Sequence, residues 1–270
     1  MTDGGVTLDA LARPGGGFAM VAMDQRESLR TMLREHGLDD GDERVAAFKR
    51  AVAREVGPDA SGFLIERDHV ETVAPFVPHG LILAVDGLVQ ERGGPVEDTY
   101  LDEPPEIHPQ VVALKLLVIW RDDDRRAERI ELARQFVELA ARHGRLSVLE
   151  PVVRVPEPDR EEAIVEAARE LGATRPSLYK CQAPREGDVV ARCREITDVV
   201  PVPWVVLSQG VPPDEFPLAV ENACKGGASG FLAGRALWTN TLDAEDPTEL
   251  LRTESVARLE QLIEIVDRHV

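Results

Sequence analysis

Short apolar runs recur along the chain, and polar stretches with a helical or turn-forming pattern separate them. Most of these runs are continuously apolar rather than alternating, which is typical of parallel strands that helices cover from outside. The predicted strands are residues 18–23, 62–66, 81–85, 111–118, 146–150, 177–181, 204–208 and 230–233. The pattern therefore predicts a parallel sheet of eight strands.

Helical periodicity fills most of the gaps between these runs. The predicted helices are residues 25–36, 43–56, 123–141, 158–171, 188–197, 214–225 and 254–269. Strands that alternate with helices over this length favour an α/β protein of the (β/α)8 TIM-barrel type, with a single domain over residues 1–270. Residues 90–110 are rich in glycine, proline and acids, so we expect a long loop there in place of the third barrel helix.

The charge balance of the chain narrows its partners. The net charge is -18 over 270 residues, which argues against nucleic acid and against an anionic membrane surface. No run has the length of a membrane-spanning helix, and the first residues lack the pattern of a signal peptide. Three cysteines without CxxC spacing are expected to be free thiols, which favours a cytoplasmic protein. Apolar positions on the closing helix leave room for a homo-oligomer.

Metal and nucleotide motifs are missing from the sequence. The six histidines are scattered singly, without a paired spacing that would suggest zinc. Neither a GxxxxGK[S/T] loop nor a GxGxxG turn after a strand is present. We therefore expect no metal and no cofactor.

Lys180 carries the strongest chemical signal. It lies inside the apolar run 177–181, where burial disfavours the charged ammonium. An uncharged amine is a nucleophile toward ketones. Two further apolar runs lead into Ser208-Gln209-Gly210 and into Gly234-Arg235, which are typical of turns whose backbone amides meet a phosphate. Together these features predict a Schiff-base enzyme that acts on a phosphorylated sugar.

Other charged residues fall at the ends of the predicted strands, where the catalytic groups of a barrel lie. They are Asp24, Glu66, Asp86, Lys115, Glu150 and Arg235. Each has a structural alternative. Asp24 could cap the helix that follows it, Glu66 and Asp86 are interpreted as loop caps, and each lysine could be half of a buried ion pair. Glu150 could be the partner of Lys115 or Arg145. Taken together, however, the set favours one catalytic constellation.

The segment 23–29, Met-Asp-Gln-Arg-Glu-Ser-Leu, resembles the DQR-x-x-L opening of the class I aldolases that cleave tagatose bisphosphate and sulfofructose phosphate. Further segments follow in the order of that family. They are Ala-Leu-Lys-Leu-Leu (113–117), Leu-Glu-Pro (149–151), Leu-Tyr-Lys (178–180), Val-Leu-Ser-Gln-Gly-Val (206–211) and Ala-Ser-Gly-Phe-Leu-Ala-Gly-Arg-Ala-Leu-Trp (228–238). The resemblance covers residues 18 to 238.

The resemblance implies a role for each matched residue. Lys180 would be the Schiff-base lysine, with Lys115, Glu150 and Asp24 as its companions in the active site. The expected substrate-binding residues are Gln25, Arg26, Ser208, Gly210, Gly234 and Arg235, of which the last four would hold a phosphate. One departure stands directly after the lysine: the family commonly has a small apolar residue and then glutamate, whereas this chain has Cys181 and Gln182.

The expected reaction is cleavage of a ketose 1-phosphate to dihydroxyacetone phosphate and an aldehyde, without a metal, because the iminium ion serves as the electrophile. Asp24 or Glu150 would be the base at the C4 hydroxyl. A distal phosphate or sulfonate would need its own cation, and Arg26 is preferred over Arg67, Arg121, Arg154 and Arg175. A transaldolase, another Schiff-base lyase or a non-catalytic sugar-phosphate sensor remain as alternatives.

Overall fold

A closed ring of parallel strands dominates the computed structural model, which describes residues 5–209 and 211–270. The strands are β1 (Phe18–Ala22), β2 (Gly62–Glu66), β3 (Leu81–Ala84), β4 (Asp86–Gln90), β5 (Val96–Leu101), β6 (Val111–Trp120), β7 (Leu146–Val153), β8 (Leu178–Gln182), β9 (Trp204–Leu207) and β10 (Gly230–Ala233). The ring order is β1-β10-β9-β8-β7-β6-β3-β2, and all eight pairings are parallel. The predicted (β/α)8 barrel is confirmed, and every predicted barrel strand is present within a few residues of its expected ends.

Helices connect the barrel strands. They are α1 (Glu27–Glu35), α2 (Asp42–Val56), α3 (Val70–Val73), α4 (Arg126–Arg142), α5 (Arg160–Gly172), α6 (Val189–Val199), α7 (Phe216–Lys225), α8 (Arg235–Trp238), α9 (Thr248–Leu250) and α10 (Val256–His269). A π-helical turn, Leu251–Ser255, leads directly into α10. Single 3₁₀ turns lie at Leu8–Ala10, Gly57–Asp59, Arg67–His69, Ala74–Phe76, Glu157–Asp159 and Thr239–Thr241.

Strand alternation divides the barrel interior into two layers. The lower layer is apolar and includes the fully buried side chains of Met20, Leu64, Val148 and Leu178. Because every second residue of a strand faces the same side, the residue two positions further on faces the interior nearer the carboxyl end. In six strands or strand extensions that residue is charged. These residues are Asp24, Glu66, Asp86, Lys115, Glu150 and Lys180. The alternation thus gathers the charges into one layer at the carboxyl end of the barrel.

The connection between β3 and β6 differs from the expected long loop. Strands β4 and β5 form an antiparallel hairpin there, with an irregularity at Val89 and Gln90. The hairpin is fixed to the barrel, because Thr99 Oγ1 donates to the carbonyl of Leu117 at 2.8 Å. Its tip is held as well, since the amide of Gly93 donates to Glu27 Oε1 at 3.0 Å. The prediction that this connection contains no helix is confirmed. The prediction of one long loop was wrong, because β4 and β5 pair within the connection.

Three other features bear on the expectations from sequence. The apolar face of α10 is buried, with Leu259, Leu262 and Val266 inside the core, and a homo-oligomer stays a prediction. The three cysteines are buried free thiols. No helix among residues 5–209 and 211–270 combines the length and apolarity that a membrane crossing requires.

Candidate active site

Lys115 lies at the centre of a buried ionic cluster. Its Nζ is 2.9 Å from Asp24 Oδ2, 3.0 Å from Glu150 Oε2 and 3.3 Å from Asp86 Oδ1. Only 2% of Lys115 is exposed. The three acids come from the ends of three different strands, so the closed barrel alone brings them together.

Lys180 shares one of these carboxylates. Its Nζ is 2.9 Å from Glu150 Oε2, the same oxygen that Lys115 contacts. This oxygen makes no hydrogen bond to a described residue, so we describe both contacts as ion pairs. Lys180 is 4% exposed. Glu150 therefore bridges the two lysines inside the barrel.

The cluster fixes the charge of two of its members. Burial alone would raise the pKa of Asp24, but Lys115 and Lys180 outweigh it and hold that pKa well below its usual value. Burial alone would lower the pKa of Lys115, but Asp24, Asp86 and Glu150 raise it well above its usual range. Lys115 is therefore a permanent ammonium and Asp24 a permanent carboxylate near neutral pH.

Asp86 connects the cluster to the segment that follows β1. Its carboxylate lies 3.4 Å from Arg26 Nη2 and accepts from the amide of Leu117, and its carbonyl accepts from Arg26 Nη1 at 2.8 Å. The interpretation of Asp86 as a loop cap was wrong. Asp24 does not cap a helix either, because α1 begins after Arg26 without a side-chain cap.

A second buried ion pair, Lys49 with Glu66, supports the segment that follows β1. Lys49 of α2 is fully buried and lies 2.5 Å from Glu66 Oε1. It also donates to the carbonyls of Met23 and Gln25, which flank Asp24. Glu66 makes no side-chain cap, so its interpretation as a loop cap was wrong. Its contact is an ion pair that holds the backbone on either side of Asp24.

Sequence reasoning missed Lys49, although a signal was present. Only four of the 31 basic residues are lysines, namely Lys49, Lys115, Lys180 and Lys225. The first three are buried near the barrel mouth, and Lys225 is an exposed partner of Glu221. In a chain that uses arginine nearly everywhere else, each lysine was a candidate for a buried role.

A cavity of about 290 Å³ opens above the cluster. One side is polar and includes Asp24, Gln25, Lys115 and Glu150. The other side is apolar, because the extended ends of β6 and β7 and the β4–β5 hairpin contribute to it. These apolar residues are Leu88, Pro95, Val96, Leu117, Ile119 and Val152. Lys180 does not line the open cavity, since Glu150 lies against its amine.

Three of the four expected phosphate residues, Ser208, Gly234 and Arg235, lie directly after β9 and β10. Ser208 is buried directly after β9, and Arg235 is exposed directly after Gly234 and lines the cavity. A Cβ on Gly234 would lie 2.7 Å from the carbonyl of Ala22 and 2.9 Å from Gln25 Nε2, so only glycine fits. Although Arg235 is exposed, the protein atoms around it partly desolvate its guanidinium and lower its pKa, and Glu150 and Asp24 oppose that effect. Gly210 lies outside the described residues.

Gln182 has a clear structural role at the position where an acid was expected. It is buried, and its Oε1 accepts a hydrogen bond of 2.7 Å from the amide of Val153. A carboxylate oxygen could accept the same bond. The amide therefore joins β8 to β7 without adding a negative charge.

Residues that could bind a metal are not grouped here. Among the described residues, no set of three or more histidine, cysteine, aspartate or glutamate side chains is placed to hold a metal ion. The three carboxylates around Lys115 face its ammonium instead.

The sequence model of the DeoC/LacD family aldolases matches residues 18–240. The chain belongs to this family and is a carbon–carbon lyase. Curated relatives include the tagatose 1,6-diphosphate aldolases of Listeria monocytogenes serotype 4a (strain HCC23) and Listeria innocua serovar 6a. Each is 23% identical over 312 aligned residues, which cover 96% of this chain and 90% of the relative.

Solved structures show the same fold at lower identity. The fructose-bisphosphate aldolase of Plasmodium falciparum superposes with a TM-score of 0.74 at 13% identity, covering 97% of this chain and 93% of that one. An archaeal fructose-1,6-bisphosphate aldolase, solved with its catalytic lysine bound to the carbinolamine intermediate, gives 0.68 at 17% identity, with 96% and 98% covered.

Proposed function

We propose that the chain is a class I aldolase that acts through a Schiff base on Lys180. Its substrate would be a ketose 1-phosphate of the tagatose-bisphosphate or sulfofructose-phosphate type, and its products dihydroxyacetone phosphate and an aldehyde. The contact of 2.9 Å between Lys180 Nζ and Glu150 Oε2 carries this proposal. An amine that forms an iminium ion needs an acid–base group beside it, and Glu150 lies in that place.

The first half of the reaction forms the iminium ion. Lys180 first passes a proton from its ammonium to Glu150, which lies 2.9 Å away. The uncharged Nζ then attacks the ketone carbon, and the proton that the nitrogen loses in this step passes to the former carbonyl oxygen. Protonated Glu150 then gives its proton to this hydroxyl, which leaves as water. The positively charged carbon–nitrogen double bond that results can accept the electron pair of the neighbouring C3–C4 bond.

The second half breaks the C3–C4 bond. Glu150, now a carboxylate, takes the proton of the C4 hydroxyl, and the aldehyde leaves while the iminium becomes an enamine. Protonation at C3 and hydrolysis then release dihydroxyacetone phosphate and restore Lys180. We place Glu150 rather than Asp24 in the base role, because the lowered pKa of Asp24 makes it a weak base.

The remaining residues would bind and orient the substrate. Lys115 stays charged and holds Asp24 and Glu150 in place. Ser208, Gly210, Gly234 and Arg235 would hold the 1-phosphate, with the close backbone approach at Gly234 and the cation of Arg235 in support. Gln25 has a buried Oε1 without a partner among the described residues, which suits a hydroxyl of the substrate.

Borohydride trapping tests the Schiff base directly. The enzyme is incubated with dihydroxyacetone phosphate and borohydride, and peptide mass mapping is expected to find the reduced adduct on Lys180. Only three other lysine side chains compete, so the assignment is unambiguous. Lys225→Met, which removes an exposed lysine, is expected to label like the wild type, and Lys180→Met is expected to remain unlabelled.

Two outcomes would overturn the proposal. An unmodified Lys180 peptide with undiminished turnover would exclude the Schiff base. Binding of dihydroxyacetone phosphate without cleavage of any ketose phosphate would favour a sensor. Product analysis separates a transaldolase, which releases little free dihydroxyacetone phosphate without an acceptor. Treatment with EDTA is expected to leave turnover unchanged, since the iminium ion replaces a metal as the electrophile.

A further inference from the structure

Two arginines at the cavity have no ionic partner within residues 5–209 and 211–270. The basic residues that line the cavity are Arg26, Lys115, Arg154 and Arg235. Lys115 is surrounded by carboxylates and Arg26 is paired with Asp86. Acids outnumber bases in this chain by 49 to 31, so partners are abundant. Arg154 and Arg235, whose guanidinium groups have no acidic partner in these ranges, line the same cavity. This arrangement suggests a ligand with two anionic groups.

The barrel topology places these two arginines on either side of Lys180. Arg154 follows β7 and Arg235 follows β10, while Lys180 belongs to β8. In the ring order β10-β9-β8-β7, the strand of Lys180 lies between the other two. A substrate that reached from one arginine to the other would therefore pass over the reactive amine.

The position of Arg154 along β7 fits the far end of an extended ligand. Glu150, Val152 and Arg154 are spaced by two, so they share one side of the strand, and all three line the cavity. The amide of Arg154 donates to the carbonyl of Trp120 at 2.8 Å, which continues the strand ladder. Four residues of strand span about 13 Å. Arg154 thus lies further toward the rim than the group that contacts Lys180.

The other arginines considered from sequence are less suitable. Arg26 follows β1, which is the neighbour of β10 in the ring, so it lies on the side of Arg235 and is bound to Asp86. Arg67 donates to Asp102, and Arg121 donates to Glu97. Arg175 does not line the cavity.

We propose that Arg154 is the cation that binds the distal anionic group of the ketose, at the end opposite the 1-phosphate. This proposal rests on the function proposed above, and it replaces Arg26 with Arg154 as the distal cation. A guanidinium group forms paired, charge-assisted hydrogen bonds with phosphate or sulfonate oxygens. The two anions share this chemistry, and cleavage assays with a 6-phosphate and a 6-sulfonate ketose 1-phosphate distinguish them.

The test compares tagatose 1,6-bisphosphate with tagatose 1-phosphate, which lacks the distal anion. For Arg154→Gln we expect kcat/KM for the bisphosphate to fall about 10- to 100-fold, with that for the monophosphate unchanged. Arg235→Gln is expected to lower both values. Arg154→Lys should restore part of the loss. Arg134→Gln, which removes an exposed arginine of α4 away from the cavity, is the matched control and should change neither.

The outcomes separate this proposal from the proposed function. If the wild type cleaves both ketoses equally well, or if Arg154→Gln lowers both values alike, the distal site is refuted while the aldolase stands. If the wild type cleaves neither, calorimetric binding of hexitol 1,6-bisphosphate and hexitol 1-phosphate decides. Tighter binding of the bisphosphate that Arg154→Gln abolishes supports the distal site without turnover, and equal binding of the two hexitols refutes it.

Discussion

The two ends of the barrel interior are built on opposite principles. At the lower end, side chains such as Ala113, Val148 and Leu178 fill the space with apolar volume and have no polar group to satisfy. At the carboxyl end, two positions further along the same strands, Lys115, Glu150 and Lys180 form a buried ionic cluster. Buried ions are expensive to desolvate and stabilise a fold less than apolar packing of the same volume does. The difference separates the layer that stabilises the barrel from the layer that serves chemistry.

The largest expected effect is on activity at the carboxyl end. Lys180→Met removes the proposed nucleophile, so we expect kcat to fall by about four orders of magnitude or more. The fold should persist, because Glu150 keeps Lys115 as its partner. A coupled assay for dihydroxyacetone phosphate and thermal unfolding measure the two quantities. If a folded Lys180→Met variant kept its activity, the ionic layer at the carboxyl end would have no catalytic role.

Removal of the central cation tests whether the cluster depends on charge balance. Lys115→Met leaves three carboxylates around a neutral side chain, and loss of one member of a buried ion pair typically costs about 3–5 kcal/mol. We expect a lower free energy of unfolding in urea titrations, together with loss of activity. The exposed Lys225→Met is the control and should stay within about 0.5 kcal/mol of the wild type. If Lys115→Met and Lys225→Met were equally stable, the claim that Lys115 balances the buried carboxylates would be refuted.

A cavity at the lower end should affect stability alone. Leu64 is fully buried in the apolar layer, and truncation of a buried leucine to alanine typically costs about 2–5 kcal/mol. We expect Leu64→Ala to unfold earlier in urea while kcat of the folded fraction remains that of the wild type. A change in kcat comparable to that of a cluster variant would show that the two layers are not independent.

The smallest expected effect is a difference in acid sensitivity. The pKa of Asp24 is held below its usual value of 3.8, so its contribution to stability is complete above that value and is lost as the pH falls through the folded pKa. Asp24→Asn should therefore lose less stability than the wild type as the pH is lowered below about 4. Leu64→Ala should keep the slope of the wild type. Thermal unfolding between pH 3 and 6 measures the slopes.

The hairpin shows where sequence patterns fell short in the fold. The composition of residues 90–110 predicts one long loop, although Gly93 and Gly94 stand between two short runs that pair as β4 and β5. Gly93 adopts a positive φ of 74° at the tip, as a tight turn requires. A glycine-containing connection between two such runs is a hairpin signal. This hairpin signal was weak because Tyr100 and Val89 are exposed, so neither strand shows a regular alternation of apolar and polar residues.

The sequence by itself determined the barrel. Its continuous apolar runs and helical periods follow from local rules of burial and spacing, which act over a few residues and can be read along the chain. It also placed Asp24, Lys115, Glu150 and Lys180 at strand ends, because a charge in an apolar run is unusual wherever it occurs.

Only the tertiary structure decided which of these charges meet. Glu150 contacts both lysines, Lys49 supports the backbone around Asp24, and Arg26 is occupied by Asp86. Residues far apart in the chain make these contacts, so their distances depend on the closure and ring order of the barrel. Ion pairing and burial set the charge of Lys115 and Asp24, and the same packing leaves Arg154 without an acidic partner in the described ranges. These contacts join distant parts of the chain, so no local sequence pattern predicts them.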